Sequence, residues 1–365
     1  MKSVNGTLSQ IRLFVVMAML ALGALAIPHQ VLLAQDAPKI APPTFSFSAY
    51  VDTYFAFDND ATEIAGAPSG ARQFSYLGYV KNQFSLNTAQ ITGSLTSDDY
   101  RAFVTLHYGD LRRSAYDGLT RFNALQQANA GFRLVDKIWI DAGLFYTHIG
   151  GEGLLPRDNW FTLYALATNN EPFYQAGVRA SYESSTFQAQ LHLLNGYGVF
   201  EDNNADKSLG WFIGFTPSSV ISASISGLLG NEQATGTAAA TRIYNNAVVT
   251  VTPFEPLSIK GQVDLGLESG KTYLAGFGAV KYMITPKLSV AARYEFINNP
   301  GAIITSEIAG GGFGASVEFR PIPTSYIRAE MRSLQFDSKY TPFLDASKRA
   351  TSSRLEGVLT LGFWL

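Results

Sequence analysis

Cysteine is absent from the 365-residue sequence, and histidine occurs only four times. The absence of cysteine excludes thiol catalysis, thiolate-ligated metal centres and a small secreted domain held together by disulfides. After the N-terminal segment the histidines are His107, His148 and His192, which lie on separate predicted strands or loops without acidic residues at metal-ligand spacing. We therefore expect no metal site and no cofactor.

Charged residues are also scarce, at 15% of the chain, and the formal net charge is only −2. A basic surface for a phosphate backbone is missing, which argues against nucleic acid as a partner. The stretch 269–272 lacks the earlier glycine of a P-loop, and 309–314 lacks the strand–helix context of a dinucleotide site. A membrane-embedded lipase would need a Ser–His pair on the lipid-facing side of its strands. His107 and His192 fall on the polar phase of their predicted strands instead, so we do not expect an enzyme.

Long hydrophobic runs are absent, with one exception near the N-terminus. The apolar run 13–27 follows the basic residues Lys2 and Arg12 and precedes small residues that end at Ala34. This order is typical of a cleaved signal peptide, with a retained membrane anchor as the alternative. No later apolar run approaches the roughly twenty residues of a transmembrane helix. The expected organisation is a signal peptide over 1–34, a short periplasmic segment over 35–43 and one folded unit over 44–365.

Aromatic residues are abundant instead, with 25 Phe and 18 Tyr, and they follow an alternating pattern. In "TFSFSAYVDTYFAFD" (44–58) the odd positions carry the phenylalanines, and the even positions include Tyr50, Asp52 and Tyr54. A period of two over this length predicts a β-strand with one apolar and one polar face. In the next strand the alternation slips by one residue near Thr88, which predicts a β-bulge.

The same alternation recurs in about sixteen segments. They lie near 44–58, 82–96, 100–109, 127–135, 138–147, 173–183, 186–196, 208–216, 219–229, 241–252, 257–267, 272–283, 287–297, 310–320, 325–335 and 352–364. Short turns alternate with mostly longer loops, and strands of about ten residues fit a tilted membrane crossing. Because lipid cannot hydrogen-bond to an open strand edge, the sheet must close.

The predicted fold class is therefore all-β. We expect a transmembrane, antiparallel, up-and-down β-barrel of about sixteen strands, with short periplasmic turns and long outer loops. This architecture places the protein in the bacterial cell outer membrane, in contact with outer-membrane lipid.

A barrel of about sixteen strands encloses a water-filled channel, and many polar side chains fall on its inward phase. The candidates for lining the channel are Tyr50, Asp52, Tyr54, Arg101, Arg133, Asp141, Arg179, Lys260, Asp264, Arg293, Glu295, Arg328, Glu330 and Arg332. So many interior charges require water or mutual pairing. Two interpretations stay open: most of these residues form ion pairs that stiffen the wall, or the arginines bias the channel weakly towards anions. Inward aromatic rings could pack against the wall or stack on sugar faces.

The third of the long loops, at 148–172, is too apolar for a loop in water. Asp158 or Asn159 could cap a short α-helix over 159–167 within it. We expect this loop to fold into the barrel and narrow the channel, and the alternative is a lid packed on the rim. Its candidate constriction residues are Glu152, Arg157, Asp158 and Glu171.

The runs "WIDAGLFYTHIGGEG", "RDNW", "EPFYQAGVRASY" and "LLNGYG", with the opening strand, resemble the OmpL-like family of outer-membrane β-barrel porins. The positions that carry the resemblance are Asp141-Ala142-Gly143, Ile149-Gly150, Asp158-Asn159, Tyr174 with Gly177, and Asn195-Gly196. The resemblance implies passive diffusion of small hydrophilic solutes or ions, and a sixteen-strand porin is a possible homotrimer. The alternative is a non-conducting barrel that acts in binding or adhesion through its outer loops.

Overall fold

The structure is a computed structural model, and it describes residues 42–116 and 122–365. The predicted signal peptide and most of the predicted periplasmic segment lie outside the described residues. Within the described residues, sixteen antiparallel strands close into one barrel. The barrel strands are β1 (Thr44–Asp58), β2 (Phe84–Thr96), β3 (Tyr100–Tyr108), β4 (Leu125–Val135), β5 (Ile138–Tyr146), β6 (Tyr174–Glu183), β7 (Phe187–Leu194), β8 (Ser208–Ser218), β9 (Ile221–Asn231), β10 (Thr241–Phe254), β11 (Leu257–Glu268), β12 (Lys271–Thr285), β13 (Leu288–Asn299), β14 (Ile308–Phe319), β15 (Ser325–Phe336) and β18 (Ser353–Trp364). The short strands β16 (Phe343–Leu344) and β17 (Ala350–Thr351) pair with each other outside the barrel.

The barrel closes at a seam between its first and last strands. β18 pairs antiparallel with both β15 and β1. At the seam Tyr50 lies opposite Trp364, and Asp58 lies opposite Glu356. Closure pairs both edges of every barrel strand, as a lipid environment requires. The predicted sixteen-strand barrel is confirmed.

Strand β1 shows how the alternating sequence produces a membrane wall. Phe45 and Phe47 point outward and are 71% and 62% exposed, whereas Asp52 on the other face is fully buried. Apolar side chains on the outer face meet lipid, and polar ones face the interior. The apolar phase of β1 is therefore the lipid side, as its sequence predicts.

A β-bulge interrupts β2 beside β1. Asp52 pairs with Thr88 but Thr53 pairs with Leu86, so Asn87 is an extra residue in β2. The bulge predicted near Thr88 is confirmed. It brings the Asn87 side chain into the interior, where its Nδ2 donates to Asp52 at 2.6 Å.

The connections differ between the two ends of the barrel. The periplasmic turns are 97–99, 136–137, 184–186, 219–220, 255–256, 286–287 and 320–324. The outer loops, named L1 to L8 in chain order, are 59–83, 109–124, 147–173, 195–207, 232–240, 269–270, 300–307 and 337–352. L6 is the short exception, a two-residue turn in which Ser269 and Gly270 both have positive φ, as tight hairpins require.

Helical structure in the described residues is confined to the outer loops. L2 contains α1 (Asp110–Ala115), and L3 contains two single 3₁₀ turns, Pro156–Asp158 and Thr168–Asn170. No helix in the described part of the chain is long and apolar enough to cross a membrane.

Candidate functional site

L3 enters the barrel interior as a deep hairpin. Its roots meet at the outer end, where the Thr147 N–H donates to the Phe173 carbonyl oxygen at 3.2 Å. Near its tip, Leu155 packs against Tyr50 and Tyr326, which both pair with the last residues of β18 at the periplasmic end. L3 therefore runs down through most of the barrel and back.

The returning limb of L3 is not helical, so the α-helix predicted over 159–167 is wrong. The wall supplies the acceptors that a helix would supply within itself. Glu330 of β15 accepts the N–H of Thr162 at 2.7 Å, and Glu295 of β13 accepts the N–H of Leu166 at 2.6 Å. Because carboxylates are strong acceptors for backbone N–H groups, these contacts override the local helix signal.

Wall arginines bind the carbonyl oxygens of the same limb. The donors are Arg293, Arg328 and Arg332, and their carbonyl acceptors are Leu163 at 3.0 Å, Asn159 at 2.8 Å and Tyr164 at 2.8 Å, respectively. All three guanidinium groups are fully buried. These five predicted channel residues, three arginines and two glutamates, therefore fasten L3 to the wall.

Behind the returning limb, the interior charges form a buried network centred on Glu356. Its carboxylate pairs with Arg72, Arg332 and Arg354, the last at 2.8 Å. Arg72 comes from L1 and also pairs with Asp58 at 2.8 Å. Charges with so little access to water are stable only when opposite charges lie against them. Sequence reasoning did not single out Arg72, which carries no strand periodicity.

Open space remains on the other side of L3. A cavity of about 720 Å³ lies between the descending limb of L3, at 147–158, and the strands β1 to β8. It extends from Ser48 and Ser94, in the periplasmic halves of β1 and β2, to Phe173 at the root of L3. This volume lies within the roughly 300–1,000 Å³ typical of small-molecule sites.

The barrel side of the cavity is mainly polar and uncharged. Its hydroxyl and amide side chains are Ser48, Gln90, Thr92, Ser94, Gln127, Asn129 and Gln190. The rings of Phe103, Phe145 and Phe212 also face it. The channel residues predicted from the sequence are mostly charged, and these hydroxyl and amide side chains are not among them. The inward phase of the second, fourth and seventh strands would have identified most of them.

The wall charges nearest the cavity form one compact group, here named the Asp141 group. Arg101 holds Asp141 with two contacts of 2.7 Å, and Arg179 reaches the same carboxylate at 2.9 Å. Arg101 also pairs with Glu183 at 2.9 Å. The structure thus brings together three predicted channel residues, and adding Glu183 makes the group neutral.

All four constriction candidates of L3 lie on the cavity. Glu152 pairs with Arg293 at 2.9 Å, and Arg157 lies 3.7 Å from Asp158. The Arg157 guanidinium also lies over the Tyr50 ring, 5.0 Å from its centroid. The charges of this limb are therefore paired as well.

Glu171, the fourth candidate, lies in a different environment at the root of L3. It shares Gln262 with Asp264: the Gln262 Nε2 donates to Glu171, and to Asp264 at 2.8 Å. Asn246 donates to Asp264 at 2.6 Å. Burial, followed by the negative charges of Asp264 and Glu152, raises the pKa of Glu171 well above its usual range. This environment therefore favours the protonated, uncharged form of Glu171.

Tyr50, Asp52 and Tyr54 are buried on the inner face of β1. The Tyr50 hydroxyl donates to Asp52 at 3.0 Å, and Tyr326 donates to the same carboxylate. The Tyr54 hydroxyl donates to Asp110 of L2 at 2.5 Å. These three predicted channel residues therefore tie β1 to its neighbours and to L2.

The last two predicted channel residues are dispersed. Lys260 donates to the Gly151 carbonyl oxygen of L3 at 2.9 Å. Arg133 pairs with Asp99 at 3.1 Å near the periplasmic rim, where both side chains are partly exposed. Neither residue lies with the Asp141 group.

His148, at the start of L3, fits into a slot in the wall. Its ring stacks on His192 with centroids 4.1 Å apart, and its Nδ1 lies 2.7 Å from the Gln175 Oε1. A Cβ at Gly210 would lie 2.8 Å from the His148 Cε1, so only glycine leaves room for the ring. Burial lowers the pKa of His148. The described residues hold no cluster of three or more histidine or carboxylate side chains that could bind a metal.

An aromatic cluster, here named the roof cluster, lies at the outer end of the cavity. Its buried members are Leu77, Leu111, Tyr116, Tyr164, Phe173, Tyr174, Ala176 and Phe200. Tyr174 lies 4.4 Å from Tyr116 and 4.5 Å from Phe200 between ring centroids. Phe173 belongs both to this cluster and to the cavity lining. The cluster therefore covers the cavity where L3 returns to the outer rim.

Solved structures with a similar fold include a porin, an outer-membrane channel and a further outer-membrane protein. An anion-selective porin from Comamonas acidovorans has a TM-score of 0.61 at 11% identity, covering 88% of this chain and 100% of the other. The channel DcaP of Acinetobacter baumannii has a TM-score of 0.60 at 10% identity, covering 92% and 100%. The trimer form of in-vitro folded OmpT of Vibrio cholerae has a TM-score of 0.59 at 13% identity, covering 89% and 100%. At these identities the likeness shows the fold alone.

A comparison with curated proteins finds no match. The family model described as "Putative beta-barrel porin-2, OmpL-like", however, matches residues 44–363, which is nearly the whole barrel. The resemblance seen in the sequence is thereby confirmed. The chain belongs to this OmpL-like family of β-barrel porins and is a protein of the bacterial outer membrane.

Proposed function

We propose that this porin allows small hydrophilic solutes to diffuse passively through a narrow passage between L3 and the strands β1 to β8. The observation that carries the proposal is the cavity of about 720 Å³ beside the descending limb of L3, with hydroxyl and amide side chains on its barrel side. Polar groups along a path reduce the cost of removing water from a hydrophilic solute. L3 narrows the passage because its limb 147–158 forms one side of it. Diffusion of this kind needs neither catalysis nor a cofactor.

Single cysteines can test this passage because the chain has none of its own. Thr92→Cys places a thiol on the cavity, and Ile91→Cys places one on the lipid face, where Ile91 is 50% exposed. A charged methanethiosulfonate reagent should reduce the single-channel current of Thr92→Cys in planar bilayers and leave that of Ile91→Cys unchanged. The trimer form of the similar Vibrio cholerae protein supports a homotrimer. In a homotrimer the reagent would modify the three channels one after another, so the current should fall in three equal steps. An unchanged current in modified Thr92→Cys would contradict the passage.

A non-conducting barrel that binds a partner through its outer loops is the second candidate function. The roof cluster favours it, because tightly packed rings cover the outer end of the cavity. Such a barrel would give no stable current in its wild-type form. Planar-bilayer recordings of the wild type therefore separate the two candidates.

Removing one ring from the roof cluster should raise the conductance. Tyr116 is fully buried against Tyr174 and Phe200, and Tyr116→Ala leaves a gap that its neighbours fill only in part. We expect a severalfold higher single-channel conductance, or newly detectable current if the wild type is closed. Tyr108→Ala is the matched control, because Tyr108 points outward and is 69% exposed. Equal conductance in both variants would show that the roof cluster does not limit the passage.

A further inference from the structure

We propose that the solutes that cross this passage are uncharged and hydroxyl-bearing, in the class of simple sugars and polyols. The inference rests on the proposed diffusion function and adds the chemical class of the solute. Charge, hydrogen-bonding groups and ring placement around the cavity support it independently.

The charges around the cavity balance one another. The Asp141 group is neutral, with two arginines and two carboxylates in contact. On L3, Glu152 pairs with Arg293, Arg157 lies beside Asp158, and burial raises the pKa of Glu171, which favours its uncharged form. A pore selects ions through an excess of fixed charge of one sign. The balanced charges here therefore leave little attraction for either anions or cations.

The cavity also presents groups that match hydroxyls. Amide side chains such as Gln127 and Gln190 supply both donors and acceptors, and Thr92 and Ser94 supply hydroxyls. Gln90 lines the same space, and its buried Oε1 has no hydrogen-bond partner among the described residues. A solute with several hydroxyls can bond to the Gln90 Oε1 and to the neighbouring amides and hydroxyls as it sheds water, whereas an apolar solute cannot replace its hydration in this way.

One aromatic ring on the path packs over a glycine. A Cβ at Gly214 would lie 2.8 Å from the Phe212 Cε1 and 3.0 Å from its Cζ, so the ring covers this glycine. Phe212 borders both the main cavity and a second cavity of about 200 Å³, which lies between the periplasmic ends of β7 to β9 and includes Ser222 and Ser224. The C–H face of a sugar ring is apolar and packs on such a phenyl face while its hydroxyls point to the polar wall.

The first test is the ion selectivity of the full-length protein in planar bilayers. In a salt gradient the wild-type reversal potential should lie close to zero. Arg179→Gln removes one positive charge at the cavity and should shift the potential towards cation preference, whereas Lys339→Gln, in an exposed pair on L8, should not. A wild type with strong anion or cation preference would overturn the inference and leave the diffusion function standing. A wild type and Tyr116→Ala variant that both lack current would overturn both.

The second test compares two solutes of nearly equal size. In proteoliposome swelling, glucose should enter severalfold faster than gluconate, and equal rates would overturn the inference. Glucose should also reduce the ion current briefly as it passes, and this effect should weaken several-fold in Phe212→Leu. Phe215→Leu is the matched control, because Phe215 lies on the same strand but points to lipid. An unchanged glucose effect in Phe212→Leu would overturn the proposed ring contact.

Discussion

Replacing Glu356 by glutamine is expected to lower the free energy of unfolding by at least about 3–5 kcal/mol, the usual effect of breaking a buried ion pair. The Glu356 carboxylate contacts three buried guanidinium groups, those of Arg72, Arg332 and Arg354. A glutamine has nearly the same volume but no charge. Three arginines would then share the remaining carboxylates in a site shielded from solvent, which is the source of the large effect.

Urea unfolding in lipid vesicles, followed by fluorescence of the four tryptophans, measures the change caused by Glu356→Gln. The matched control is Glu307→Gln, because Glu307 and Lys339 form a pair in which both side chains are more than half exposed. An exposed pair contributes only about 0–1 kcal/mol. If the two variants unfolded at the same urea concentration, the network around Glu356 would not stabilise the barrel.

Arg328→Met should both destabilise the barrel and release the tip of L3. Arg328 is fully buried and donates to Glu318 at 3.0 Å and to the carbonyl oxygens of Pro156 and Asn159 at 3.1 and 2.8 Å. Methionine keeps the apolar stem but removes all three contacts from a fully buried site, so we expect a loss of about 3–5 kcal/mol. Freed from the wall, the segment around Arg157 should become a trypsin site in the folded protein.

Arg320→Met provides a close control for Arg328→Met. Arg320 pairs with the same carboxylate, Glu318, at 2.8 Å, but its side chain is 35% exposed and the pair is worth about 1 kcal/mol or less. Cleavage at Arg157 in digests of folded protein should therefore appear in Arg328→Met and not in Arg320→Met. Cleavage of both variants at equal rates would mean that Arg328 does not hold L3.

The sequence predicts the barrel well because each strand carries its own evidence. In β1, the alternation of phenylalanines with Tyr50, Asp52 and Tyr54 identifies the lipid face without knowledge of any other strand. The slip near Thr88 likewise identifies the bulge locally. Both features can be predicted from neighbouring positions in the sequence, because successive side chains of a strand point to opposite faces of the sheet.

The interior could not be predicted in the same way, because its contacts join residues far apart in sequence. The limb 159–167 carries a helix signal, but Glu295 and Glu330 bind its N–H groups. The inward phase of β13 and β15 places these carboxylates inside the barrel without indicating whether water, an arginine or a loop backbone lies opposite. Of the two interpretations of the wall charges, the geometry around Arg293 favours ion pairing over an anion bias.

The seam places two carboxylates opposite each other, and an arginine of an outer loop bridges them. Asp58 of β1 lies directly opposite Glu356 of β18, and like charges at such positions repel. Arg72 of L1 contacts both carboxylates, at 2.8 Å in the case of Asp58. During biogenesis, the first and last strands therefore meet at this level most favourably once L1 has placed Arg72 against both carboxylates. Closure of the barrel and docking of L1 are thus coupled through Arg72.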